Sequence, residues 1–251
     1  MRHAWILAIL VVGCGPQVSI RPRFNPPSAL DLAIEQRDFA AVERLTRDGV
    51  PSRRRVPWEP PLQRALRSGQ SDVAELLIAR GAEVRTLVSG EGPLEIAAAV
   101  GDIPNLRRIL KIAGPVRKQG WGPTALHTAA KEGQIEAMRI LLDAGAPIEA
   151  VEPYEGRTPL AFAAEGRQVE AVRFLLARGA NPNPPTYANP LQRADISFDM
   201  GRGEADRQEV IRLLEAAGAK REASGMPFSQ EEFRRAHPEL KQVNPWTGLP
   251  E

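Results

Sequence analysis

TALHTAAKEGQIEAMRILLDAGAPI, residues 124–148, decides how this chain folds. It holds two short apolar runs of helical period, parted by Gly133 and closed by Gly145. The same pattern returns on both sides: PPLQRALRSGQSDVAELLIARGAEV from Pro60, GPLEIAAAVGDIPNLRRILKIAGPV from Gly92, and TPLAFAAEGRQVEAVRFLLARGANP from Thr158. The four starts lie 32, 32 and 34 residues apart. A shorter copy begins at Ser28, and an interrupted one at Asn189. In the last copy Leu191 and Gly218 are 27 residues apart, where Leu160 and Gly179 are 19 apart, so about eight residues are inserted near 195–205. A fixed period of this length is the signature of a stacked repeat.

The residue types suit the same two-helix unit each time. Ser28, Thr124, Thr158 and Asn189 can accept a backbone N–H at the start of the first helix. Pro61, Pro93, Pro159 and Pro190 follow at the first helical position, where no N–H is required. Gly69, Gly101 and Gly133 are placed to end that helix in the left-handed conformation. Ala97-Ala98, Ala129-Ala130 and Ala163-Ala164 let neighbouring helices approach closely. Gly49, Gly81, Gly145, Gly179 and Gly218 turn the chain out into a hairpin segment. The third unit departs, with Ala113 at that place and Gly114 after it.

Thr124-Ala125-Leu126-His127-Thr128-Ala129 and Thr158-Pro159-Leu160 resemble the T-P-L-H-x-A signature of the ankyrin repeat. The resemblance covers residues 28–220 in six units. It implies an all-α ankyrin-repeat solenoid, helix-turn-helix pairs joined by β-hairpin loops. It also implies a protein-binding module rather than an enzyme. Domains of this kind bind through hairpin tips and the exposed face of the first helices. Arg67, Lys131, Glu132 and Glu165 come late in those helices, where family members make polar contacts. His127 stands at the signature histidine, whose implied role is hydrogen bonding between repeat loops.

A stack needs polar outer faces at its ends. Three residues before each turn glycine or its substitute stand Thr46, Ile78, Leu110, Leu142, Leu176 and Glu215, polar only at the two ends. The expectation is that the first and last units are both polar caps.

The chain starts MRHAWILAILVVGCGPQ. Ala4 to Val12 is an apolar run of 9 residues, too short for a membrane span and the right length for a secretory leader. Val11-Val12-Gly13-Cys14 resembles the bacterial lipobox, in which the leader is cut before a cysteine that then carries lipid. Cys14 is the single cysteine of the chain. The expected parts are a lipoprotein signal peptide at 1–13, a proline-rich tether at 14–27, the repeats at 28–220 and a C-terminal extension at 221–251. With Cys14 lipidated no cysteine is left for a disulfide, so packing alone holds the fold.

Composition is 43% hydrophobic and 25% charged, enough for a core. Lys and Arg number 33 against 31 acidic residues, +2 overall and +1 once Arg2 leaves with the leader. That balance argues against a nucleic-acid binder. No phosphate-binding glycine loop, nucleophile elbow, HExxH or EF-hand loop occurs. His127 and His237 are the histidines left after the leader, too few N or S ligands for a metal centre. No catalytic residue and no cofactor is therefore expected. Asp199, Glu204, Asp206 and Glu209 read as a solvated acidic loop.

Aromatic residues in the hairpin segments stand out. Trp58, Trp121 and Tyr154 sit where helix periodicity does not call for a ring, and exposed Trp and Tyr are enriched at binding hot spots. Tyr187 abuts the last unit and reads as packing. The expected partner surface is Trp58, Arg67, Trp121, Lys131, Glu132, Tyr154 and Glu165. The resulting expectation is a monomeric protein of the bacterial envelope, lipid-anchored through Cys14 and facing the periplasm, with Gly15 after the cysteine favouring the outer membrane. It would capture a protein partner, as an inhibitor or immunity partner of an envelope-acting enzyme or toxin. The alternatives are an adaptor linking envelope proteins, or an enzyme with its site in the insertion or extension.

Overall fold

The computed structural model describes residues 28–50, 59–87, 90–114, 124–153, 155–186, 188–196 and 203–220. They form twelve helices: α1 (Ala29–Glu35), α2 (Phe39–Leu45), α3 (Pro61–Arg67), α4 (Ser71–Ala79), α5 (Pro93–Val100), α6 (Ile103–Ala113), α7 (Ala125–Glu132), α8 (Ile135–Asp143), α9 (Pro159–Glu165), α10 (Val169–Ala177), α11 (Pro190–Ile196) and α12 (Glu204–Ala216). Each odd-numbered helix packs on the even-numbered helix that follows it. The odd helices also stack on one another, and so do the even ones, giving a two-row, all-α solenoid of six helix pairs. Among the described residues there is no strand and no helix long and apolar enough to cross a membrane.

The starts of the odd helices follow their sequence chemistry. The Ser28 hydroxyl accepts from the Asp31 N–H at 3.1 Å, and the Asp31 carboxylate accepts the Ser28 N–H at 2.8 Å. Thr158 accepts from Ala161, and Asn189 from Leu191. Inside, Ala97, Ala98, Ala129, Ala130, Ala163 and Ala164 are fully buried. With only a methyl group at these sites the odd helices can lie close together, and Leu62, Leu126 and Leu160 are buried in the same core.

Gly133 shows why the turn between paired helices is narrow. Its φ is +72°, and a Cβ built there would stand 2.3 Å from the Gln168 Oε1 of the next unit. Gln168 occupies that gap to donate from Nε2 to the Lys131 carbonyl at 2.8 Å. Three units earlier Gln70 also reaches back to the preceding unit, donating to the Ile34 carbonyl at 2.9 Å. Units one and five carry no glycine at this place. Arg37 and Arg167 take it instead, at φ 57° and 52°. In unit five the nearby Gly166 is required for a different reason: a Cβ there would sit 2.4 Å from the Lys131 carbonyl oxygen.

In the third unit α6 runs on to Ala113, and Gly114 takes the positive φ as its C-cap. The missing glycine at position 113 thus lengthens the helix and delays the turn.

The expectation of two polar caps is corrected at the first unit. Thr46 is fully buried, its hydroxyl turned back onto the Val42 carbonyl at 2.8 Å. Ile78 is buried as well, and only the last member of that series, Glu215, is left exposed. The outer face of unit one is formed by other positions, and these are apolar: Leu32, Phe39 and Leu45 are 41%, 40% and 40% exposed.

Candidate binding surface

Cys14, Trp58, Trp121, Tyr154 and Tyr187, with residues 197–202 and the extension 221–251, lie outside the described residues. The remaining expected contacts, Arg67, Lys131, Glu132 and Glu165, all sit at the ends of odd helices, along one row of the solenoid. The structure separates them into two kinds.

Arg67 and Glu165 are committed within the protein. Arg67 bridges Glu59, before its own helix, and Glu91, before the next, at 2.8 and 3.1 Å. Its hydrogen bond to Glu59, joined by that to Glu91, outweighs desolvation and holds the guanidinium more firmly protonated than usual. Glu165 accepts from Arg157 at 2.9 Å. Lys131 and Glu132 differ. Among the described residues their side chains make no ion pair or hydrogen bond, and Val100, 41% exposed, stands at the end of the preceding odd helix. The row therefore has paired charges towards both ends and an unpaired cation, an unpaired anion and an apolar side chain at its centre.

Arg157 is a hub that inspection of the sequence missed. It lies between Glu152, Glu155 and Glu165, with N–O distances of 3.3, 3.7 and 2.9 Å. Burial works against its charge, and the hydrogen bond it donates to Glu165, with the fields of Glu152 and Glu155, outweighs it, so the guanidinium is held more firmly protonated than usual. Glu155 continues the chain of charges to Arg193 of unit six at 2.7 Å. The available signal was the spacing of Glu152, Glu155 and Glu165 around the basic residue just before the Thr158 cap.

The third position of the odd helices forms a second buried polar series. Asp31, Gln63, Glu95 and His127 all occupy it. His127 accepts the Thr124 N–H at Nδ1 (3.1 Å), so the proton lies on Nε2, which points at the Ala150 and Arg157 carbonyls, each 3.0 Å away. The ring fastens a hairpin segment to α7, and buried in that role it has no access to a substrate. Gln63 reaches the Thr86 carbonyl in the same manner. Glu95 accepts the Gly92 N–H at 3.1 Å. Burial raises its pKa, opposed by that hydrogen bond.

On the even row the surface is laced by ion pairs between successive units: Arg107 with Glu136 and Arg173 with Glu209. A shallow hollow lined by Val169, Glu170, Glu204, Gln208, Glu209 and Arg212 lies at the α10–α12 end. Among the described residues no cluster of His, Cys, Asp or Glu is arranged to hold a metal.

The ankyrin-repeat family model matches residues 94–186 in three copies. The chain carries ankyrin repeats. The crystal structure of the ankyrin repeat domain of Bcl-3, a unique member of the IkappaB protein family, is similar over 77% of this chain and 87% of that one, with 29% identity and a TM-score of 0.57. No curated protein matches the chain. Ankyrin repeats are protein–protein interaction modules, and the two-row stack, the buried alanines and the His127 bridge are the physical content of that likeness here.

Proposed function

We propose that this ankyrin-repeat chain is a lipid-anchored protein of a bacterial envelope that captures a protein partner stoichiometrically, as an inhibitor or immunity partner of an envelope-acting enzyme or toxin. The observation that carries the binding reading is the centre of the odd-helix row. There Val100, Lys131 and Glu132 are left for an outside molecule, while their neighbours Arg67 and Glu165 are satisfied internally. An apolar contact flanked by one cation and one anion is the chemistry of an interface with a partner of matched charge. The anchor reading is supported by Cys14, the single cysteine, one glycine after the apolar leader-like run.

The test is capture from detergent-solubilised envelope with the wild-type protein and a Val100→Asp, Lys131→Glu variant side by side. A partner that uses this surface is retained by wild type and lost from the variant by about tenfold or more, the factor carried by about 1.4 kcal/mol. Equal retention by both proteins defeats the surface. Fatty-acid labelling of wild type and Cys14→Ser tests the anchor separately, since label on neither protein rejects it without touching the binding claim.

A further inference from the structure

The two ends of the solenoid are built differently. In units two to five the late position of the even helix is filled by Leu77, Ile109, Leu141 and Leu175, all fully buried. Its counterpart in unit one is Leu45, 40% exposed. In units three to five the fourth residue after the odd-helix cap is Ile96, Thr128 or Phe162, each buried, and Thr128 donates to the Glu95 carbonyl of the unit before it. Its counterpart in unit one is Leu32, 41% exposed. These positions are where each unit receives its predecessor, and with Phe39 they give unit one an uncovered apolar end.

The segment nearest this end is the one that leads into it. Ser28 caps α1, so the chain arrives at the edge of the face. Residues 15–27, GPQVSIRPRFNPP, bring Val18, Ile20 and Phe24. Phe24 is four residues from Ser28, a reach of about 14 Å. Pro27 and Leu32 stand at the two positions that a hydrophobic staple joins, one before the cap and four after it. The extension after Lys220 leaves from the opposite end, five units away at roughly 10 Å each. A short covalent link also holds the leading segment at an effective concentration of about millimolar, which an independent partner would have to exceed.

We propose that residues 15–27 dock across the apolar end of unit one, with Phe24 against Leu45 and Phe39, and so complete the solenoid. The segment then acts as a closing layer and not as a free tether. Joined to a lipid on Cys14, it sets the repeat stack with its first unit against the membrane. That last consequence rests on the anchor reading; the docking itself does not.

The experiment places the photo-crosslinking residue p-benzoylphenylalanine at position 45 of the full-length protein, at position 32 in a second variant, and at the exposed position 215 as the control. Expected is an intramolecular product joining position 45 or 32 to residues 15–27, reduced several-fold by Phe24→Ser and absent from position 215. Products joining the face to residues 221–251, to a second copy or to phospholipid overturn the proposal. So does a yield at both positions no higher than the control.

Discussion

The guanidinium carbon of Arg157 stands 4.3 Å from the centre of the Phe162 ring, and that ring meets His127 edge-on at 5.0 Å. One cation thus ties a hairpin segment to α9, and through the ring to α7. Glu152, 1% exposed, depends on the same cation for part of its neutralisation. Arg157→Ala should therefore cost about 2–4 kcal/mol, because a buried carboxylate loses a charged partner. Arg157→Lys should recover less than half, since a point charge cannot serve three carboxylates and a ring face together. Urea denaturation of the two variants checks both statements.

Glu95 predicts a stability that depends on pH in an unusual direction. Its folded pKa lies above the ordinary 4.5 because it is buried. Within the window above 4.5 the folded state holds the proton more firmly than the unfolded one, so this residue's contribution falls as pH rises. Glu95→Gln keeps an acceptor for Gly92, and Gln63 already shows that a glutamine fits the equivalent place. The variant should be more stable than wild type at pH 7 by about 1 kcal/mol, the scale of an imperfectly satisfied buried group. The gap should close below pH 4.5. Melting curves at pH 4 and pH 7 measure it, and a constant difference between them would reject the assignment.

Left-handed backbone at Arg37 and at Gly133 invites substitutions of opposite sign. Arg37 is exposed with φ 57°, so Arg37→Gly should raise stability by about 0.5–1 kcal/mol as strain is relieved and partly offset by chain entropy. Gly133→Ala should lower it by about 1–3 kcal/mol, because the new methyl meets Gln168 as well as an unfavourable φ. Denaturant midpoints decide both.

Thr46 and Glu215 occupy equivalent positions at opposite ends of the stack, and the structure assigns them unequal weight. Thr46→Glu should cost several kcal/mol, since it buries a charge. Glu215→Leu should be nearly neutral in monomer stability. Two equally mild variants would show that Thr46 is not the buried position the structure gives.

Most of the fold was legible because each unit writes its own boundaries. Ser28 and Thr158 accept the cap hydrogen bonds expected of them, and the alanine pairs are buried as their size implies. What helical period does not encode is direction along the stack. It marks Thr46 and Leu45 as neighbours on a helix, but not that one is buried and the other left exposed where no unit precedes it. The candidate surface was half legible for a related reason. Arg67, Lys131, Glu132 and Glu165 were all recognised as late odd-helix residues. Which of them are consumed depends on charges brought in from other units or hairpin segments, such as Glu91 and Arg157. Those pairings exist only once the stack is assembled.

Four buried or half-buried side chains that sew units together reach back along the chain, whereas Gln63 and His127 reach forward to hairpin carbonyls. Gln70 donates to Ile34, Asn105 to Ser71, Thr128 to Glu95 and Gln168 to Lys131, each reaching back to a carbonyl of the unit before. Forward donors such as Arg37 to Ser68 and Arg85 to Ala113 lie on the exposed surface, where water serves as a substitute. A polypeptide emerging from the ribosome amino-terminus first thus lays down each acceptor before the donor that needs it. Growth can pause after any of these units without leaving one of these four donors waiting for a mate, whereas removing units from the front strands them.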